Sequence, residues 1–199
     1  MDLLKGRKLI LASGSPRRRE LLSGLDVVFT VETGNSFDEV YPETLRHEDI
    51  PSFLSKGKSH GFHRQLTENE ILLTSDTLVL CGERVMGKPH GREDAVDMLR
   101  HLSGREHKVI TAVTFRDCTH ELTLSDTAVV RFKVLTDEEI DYYVDSCKPY
   151  DKAGAYGIQE WIGYVGIEGI RGSYFTIMGL PVHLVYSGLG EFLAPSLKG

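Results

Sequence analysis

A chain of 199 residues can bury a full core as one domain, and 41% apolar with 26% charged residues is the composition of an ordinary soluble enzyme. Its 23 Lys and Arg against 29 Asp and Glu give a net charge of −6, which excludes a general affinity for nucleic acid or acidic membranes. Any phosphate site must then be a local concentration of positive charge. Cys81, Cys118 and Cys147 lie far apart, match no metal-ligand spacing or disulfide framework, and fit a reducing compartment. The apolar run Leu9-Ile10-Leu11-Ala12 is too short for a signal peptide, and no apolar stretch approaches the ~20 residues that span a bilayer. The expectation is a soluble, intracellular protein.

Leu9 to Ala12 reads as a short buried strand ending at the turn Ser13-Gly14-Ser15. A helix is predicted from Pro16, with Leu21 and Leu22 inward and Gly24 ending it at the C′ position. Asp26 to Val31 reads as a second strand, followed by the acidic loop Ser36-Phe37-Asp38-Glu39. Ser52 to Gln65 reads as a helix, weakened by Gly57 and Gly61 at about 1 kcal/mol each. Two strands, Ile71–Leu80 and Arg84–Met86, are joined by a turn around Cys81-Gly82-Glu83. Glu93 to Leu102 is a helix with Ala95, Met98, Leu99 and Leu102 on one face.

His107–Phe115 and Glu121–Val134 form a long hairpin, with Ala128, Val130, Phe132 and Val134 facing one way. Thr136 and Glu139 make a capping box for a helix running to about Ser146. A glycine-rich stretch from Gly154 to Gly172 follows, and a last helix begins near Pro181. Strands and helices so intermixed predict an α/β protein with a mixed sheet.

Ser15 is a natural N-cap and Pro16 a natural first helical residue, yet Arg17, Arg18 and Arg19 then fill a first turn where the macrodipole disfavours cations by about 0.3–1 kcal/mol each. Two readings are open. A bound anion would draw free N–H groups, serine hydroxyls and guanidinium forks to one point; otherwise the arginines form a solvated helix end paired to acids. Asp76, inside Leu72-Leu73-Thr74-Ser75-Asp76-Thr77-Leu78-Val79-Leu80, costs several kcal/mol unless it is paired or bound to a cation. It is either a strand-end carboxylate able to orient water or hold Mg²⁺, or an Asx-turn that breaks the strand with Thr77.

Lys88, in Met86-Gly87-Lys88-Pro89, is a turn lysine, either rigidly presented to a pyrophosphate group or simply exposed. Lys58 defaults to a helix surface and Asp38-Glu39 to a solvated loop, where a carboxylate can also serve a metal. Asp151 to Gln159 combines small residues with an amide able to read a base edge, and it also reads as a glycine-permitted loop. His60 and His63 have no partners at metal-site spacing and read as a solvated helix face.

Taken together, these segments resemble the Maf family of nucleoside triphosphate pyrophosphatases. The resemblance rests on Leu9 to Arg18, Phe37-Asp38-Glu39, Lys58, Ser75-Asp76-Thr77, Gly87-Lys88-Pro89, Leu102 to Thr111, Asp151 to Gln159, and Gly172-Ser173-Tyr174 with Gly179-Leu180-Pro181, in family order. It implies one Maf-like domain over residues 1–199, an elongated mixed sheet with flanking helices in two lobes around a cleft, similar to inosine triphosphate pyrophosphatases. It implies hydrolysis of a nucleoside triphosphate to the monophosphate and pyrophosphate, dependence on Mg²⁺, Mn²⁺ or Co²⁺, a cytoplasmic location and a homodimer; the net charge and the lack of a long apolar stretch lead to the expectation of no nucleic-acid or membrane partner.

Arg17, Thr77 and Gln159 are similar to the combination in the branch acting on dTTP and UTP, whereas the branch preferring 7-methyl-GTP usually has tryptophan at the position of Arg17. On this resemblance Asp76 is the general base, Glu39 and Asp76 hold the metal, and Arg17, Arg18, Lys58 and Lys88 stabilise phosphate charge. Ser13 and Ser15 add donors, while Thr77 and Gln159 select the pyrimidine. Two departures, the bulk of Thr74-Ser75 and the pair Glu160-Trp161 after Gln159, bear on the pocket rim and the ranking of substrates. The rival expectation is a nucleotide-sensing regulator of cell division that binds without turnover.

Overall fold

The buried triplet Leu9-Ile10-Leu11 pairs on both sides, and the sheet grows outward from it. In the computed structural model, which describes residues 3–194, β1 (Lys8–Leu11) runs parallel to β2 (Phe29–Val31) on one side and to β3 (Glu70–Cys81) on the other. Parallel neighbours need crossovers, and here they contain α1 (Pro16–Ser23) and α2 (Ile50–His60). β4 (Arg84–Met86) returns antiparallel on β3 through a two-residue turn at Gly82, whose φ of 60° suits glycine. Then follow α3 (Arg92–Leu102), β5 (Glu106–Arg116), β6 (Glu121–Phe132), α4 (Asp137–Cys147), α5 (Trp161–Gly166), β7 (Ile167–Arg171), α6 (Tyr174–Met178) and α7 (Val182–Phe192). The sheet order is β2-β1-β3-β5-β6-β7 with β4 on β3, a mixed α/β sheet as the element pattern predicts.

The chain divides into two compact units. The first comprises the chain up to Asp76, Thr111–Asp126 and the chain from Gly179 onward; the second comprises Thr77–Ile110 and Thr127–Met178. In the first unit α1 buries Leu21 and Leu22, α2 buries Ile50 and Leu54, and α7 buries Val185, Leu189 and Phe192. Phe115 packs against Phe192 with ring centroids 5.9 Å apart, and a Cβ at Gly188 would meet Phe115 and Leu124 at 2.8 Å, so α7 docks through a glycine. Arg64 bonds both Glu32 and Glu70 in bidentate fashion, joining the end of β2 to the start of β3.

In the second unit α3 and α4 enclose a core that includes Val79, Leu99, Leu102, Val130, Phe132, Ile140 and Tyr143. The capping box forms as expected: the Glu139 N–H donates to Thr136 Oγ1 at 3.2 Å and the Thr136 N–H to Glu139 Oε2 at 2.9 Å. Burial pulls His107 down to about 4, so it is neutral where it meets the Tyr156 hydroxyl at 2.8 Å.

Several expectations need correction. Gly24 caps α1 in the right-handed region, and the left-handed residue is Asp26 at φ 52°, which delays the second strand until Phe29. The second helix spans Ile50–His60, stopping short of Gln65. Val134 is 77% exposed, because β6 ends at Phe132, where its pairing with β7 shifts register. The glycine-rich stretch holds α5 and the edge strand β7.

Asp117 anchors the β5–β6 connection. It accepts from the Thr119 N–H, the Thr119 hydroxyl and the His120 N–H at 2.8–3.0 Å, and from Arg7 at 2.9 Å. Burial alone would raise its carboxyl, but those donors outweigh burial and hold it well below the usual carboxylate range. A depressed folded-state value contributes stability above the unfolded value near pH 3.9 that is lost as pH falls toward the folded one. Asp117→Ala should therefore cost about 2–3 kcal/mol at neutral pH. In urea titrations the gap from the parent should narrow steadily on acidification below about pH 4.

Candidate active site

β1 ends where β3 continues. Leu11 pairs with Leu73, the Ala12 N–H donates to Leu73 O at 2.9 Å, and the chain then leaves the sheet into Ser13-Gly14-Ser15 and α1. β3 runs on through Thr74, Ser75 and Asp76 without interruption, so the Asx-turn reading of Asp76 is wrong. This is the carboxyl end of parallel strands, where ligands of open α/β sheets bind. Strand geometry dictates that Asp76 and Thr74 face the same way, toward α2: Thr74 meets Ser55, and Asp76 meets Lys58.

Asp76 is 7% exposed, and its Oδ1 accepts from Lys58 Nζ at 2.5 Å. The same ammonium lies 3.0 Å from Glu39 Oε1. One lysine therefore gathers a buried and an exposed carboxylate, and the two oxygens are no further apart than the sum of those distances. Burial pushes the Asp76 carboxyl above its ordinary range, opposed first by Lys58 and then by Arg18.

Arg18 is not the solvated charge that the plain helix-end reading requires. Its Nε donates to Gly179 O at 2.8 Å and its Nη1 to Ser75 O at 2.8 Å, while the Ser75 hydroxyl donates to the same Gly179 carbonyl at 3.2 Å. Arg18 thus clamps α1 to β3 and to the turn before α7, with two of its five donors so engaged. Burial pulls its guanidinium below the ordinary value, while Asp76 acts in the opposite sense and Arg17 adds to the lowering. Arg17, Arg18, Lys58, Asp76 and Glu39 therefore form one electrostatic group of three cations and two carboxylates, all within the first unit.

The start of α1 completes it. Ser15 is the N-cap residue but makes no side-chain cap bond, the first turn holds no acid, and the Ser13 hydroxyl accepts from the Ser15 N–H at 3.2 Å. A helix start with no acid in its first turn and excess positive charge beside it is electrostatically disposed toward an anion. Arg19 is exposed, on a shallow depression with Ser23, Val28 and Phe29, apart from the others.

Thr77, Lys88 and Gln159 belong to the second unit. Lys88 is exposed in its turn, which is tied to the 151–160 segment by the Gly154 N–H donating to Gly87 O at 3.0 Å. The small residues of that segment serve packing: a Cβ at Gly154, whose φ is 69°, would meet Val79 at 3.1 Å, and Ala155 is fully buried. Gln159 is half-buried at its end. Glu160 turns inward to Lys152 at 3.0 Å and to the Tyr143 hydroxyl, and Trp161 packs on Tyr142, so the Glu160-Trp161 pair has structural partners.

Among the described residues no three His, Cys, Asp or Glu side chains gather into a metal set. Asp76 and Glu39 are the pair available to a divalent ion. Two carboxylate donors suit Mg²⁺ or Mn²⁺ when phosphate oxygens and water supply the remaining ligands. A position already holding an ammonium between two carboxylates is electrostatically a cation site.

The Maf-like protein family matches residues 8–192. A protein of Bacteroides fragilis named dTTP/UTP pyrophosphatase is 47% identical over 184 residues, 92% of this chain and 95% of that protein. Proteins of the same name from Phocaeicola vulgatus and Parabacteroides distasonis are 47% and 46% identical, covering 95% and 96% of this chain and 98% and 100% of theirs. Among solved structures, a HAM1 protein from Coxiella burnetii is 12% identical with a TM-score of 0.40, over 63% of this chain and 73% of that one.

Because Lys58 holds the Asp76 carboxyl down against its burial, Lys58→Met should raise its titration midpoint further. The carboxyl ¹³C shift of Asp76, followed against pH in the parent and the variant, reads this directly; coincident midpoints would contradict it.

Proposed function

This chain belongs to the Maf family, and from that premise we propose that it is a nucleoside triphosphate pyrophosphatase hydrolysing dTTP and UTP to the monophosphate and pyrophosphate. The observation that carries the reading is the buried Asp76 joined through Lys58 to Glu39, beside the arginine turn. A carboxylate raised by burial is better matched to proton abstraction near neutral pH than a solvated one. Asp76 takes the proton from a water that attacks the α-phosphorus; the bond from that phosphorus to the bridging oxygen breaks, and pyrophosphate leaves.

Arg17 and Lys58 stabilise the charge that builds on the phosphates. Arg18 contributes its charge from a fixed position, since its clamp on Ser75 and Gly179 prevents it from following the substrate. Ser13, Ser15 and the first N–H groups of α1 receive phosphate oxygens. Glu39 and Asp76 would hold Mg²⁺, Mn²⁺ or Co²⁺, which when bound neutralises phosphate oxygens. Lys88 serves the departing pyrophosphate, and Thr77 and Gln159 select the pyrimidine, Gln159 by pairing with its N3–H and a carbonyl.

The proposal extends to a homodimer acting on free nucleotides in the cytoplasm. Three unbridged cysteines support a reducing compartment, and among the described residues no helix is long and apolar enough to cross a membrane.

A pyrophosphate-release screen over the common and methylated triphosphates, with Mg²⁺ and with Mn²⁺, should place dTTP and UTP first and 7-methyl-GTP far behind. In the same assay Asp76→Asn should lose roughly a hundredfold or more in kcat. Full turnover by Asp76→Asn would contradict the assignment of the base, and tight dTTP binding without pyrophosphate release would favour a sensing role.

A further inference from the structure

From Thr33 to Val40 every residue is exposed except Phe37, which is half-buried. Its ring lies on the backbone of α2 where Gly57 leaves room. A Cβ at position 57 would stand 2.2 Å from Phe37 Cζ, 2.4 Å from Cε2 and 2.5 Å from Cε1. One turn later, a Cβ at Gly61 would stand 2.6 Å from Asn35 Oδ1 and 2.7 Å from Phe37 Cβ. Hydrogen bonds follow the same line: the Ser36 N–H donates to Gly61 O at 2.9 Å, Asn35 Nδ2 to Lys58 O at 2.5 Å, and the Phe37 N–H to Asn35 Oδ1 at 2.8 Å. The loop is thus fastened to the backbone of Lys58 at Asn35, and two residues beyond Phe37 its Glu39 carboxylate meets the Lys58 ammonium.

The Glu39 side chain is 57% exposed, and an ion pair so solvated is too weak to fix a loop by itself. Glycine inside a helix is unfavourable beside alanine, so α2 sacrifices helix propensity at position 57. A local rule broken where a packing contact feeds a charged site marks a functional compromise.

We propose that Phe37, seated on Gly57, is the positioning residue that sets Glu39 against Lys58. The inference rests on the reading of Glu39 as a working carboxylate in nucleotide hydrolysis. The contact places Glu39 without Phe37 touching the reacting atoms, and it makes the glycine of α2 a requirement of the site.

The test separates packing from stability. Gly57→Ala should leave the melting temperature unchanged or raised, because alanine favours the helix. It should nevertheless quicken amide hydrogen exchange at residues 35–39 and lower kcat/KM for dTTP roughly tenfold or more, toward the level of Glu39→Ala. Adding Phe37→Leu removes Cζ, Cε1 and Cε2, the three colliding atoms, and should restore both slow exchange and turnover. Parental exchange in Gly57→Ala, quickened exchange with parental turnover, or a folded double variant that recovers neither readout would each overturn the proposal. Should the parent chain release no pyrophosphate from any triphosphate, the nucleotide reading falls on its own, and exchange in the three chains still decides whether the ring holds the loop.

Discussion

A carboxylate buried in a strand interior has to be neutralised, and the arrangement of the first unit follows from how Asp76 meets that requirement. An unpaired charge at this depth would cost several kcal/mol or be lost to protonation. Lys58 supplies the counter-charge from α2, and Arg18 adds to it from α1 while holding the carbonyls of Ser75 and Gly179. The two helices in the crossovers between β1, β2 and β3 are therefore also the two sources of positive charge beside Asp76. Burial and the cations pull the carboxyl in opposite directions, and burial prevails. Burial thus raises the carboxyl's affinity for a proton, the direction that a base acting on water requires.

The same lysine imposes the second constraint. Glu39 comes from an exposed loop that is fastened to α2 by the hydrogen bonds of Asn35 and Ser36 and by the packing of Phe37 on its glycine. One helix thus offers a cation at Lys58, a bare backbone at Gly57 and hydroxyls at Ser55 and Ser59 on buried positions. Its polar content would be poor design for a purely structural helix; here each group meets a partner. Ser55 reaches Thr74 and Thr114, and Ser59 receives Arg116.

Local signals in the sequence were the most informative. The capping box at Thr136 and Glu139 and the turn at Gly82 require only neighbouring residues, and both form as read. The misplaced charges of Arg17, Arg18 and Arg19 marked the turn, but the carbonyls that receive Arg18 lie 57 and 161 residues away and left no trace near it. Gly57 and Gly61 registered only as a weakness in a helix, since the ring that needs them comes from another segment. Their spacing of one turn was the available clue to a close approach on one helix face. β7 escaped notice because Ile167-Glu168-Gly169-Ile170-Arg171 is short and mostly exposed, and is defined by pairing with β6. Val134 misled for the opposite reason: alternation continued in the sequence after the strand had ended.

On the proposed function, the buried carboxylate on β3 is the group whose ionisation permits turnover. The acid limb of kcat/KM for pyrophosphate release from dTTP, measured at saturating Mg²⁺, reports the ionisation of that base in the free enzyme. The midpoint of that limb should coincide with the titration of the Asp76 carboxyl followed at the same Mg²⁺ concentration, and both should move together in Lys58→Met. A limb that does not track the Asp76 titration under the same conditions would contradict this assignment of the base.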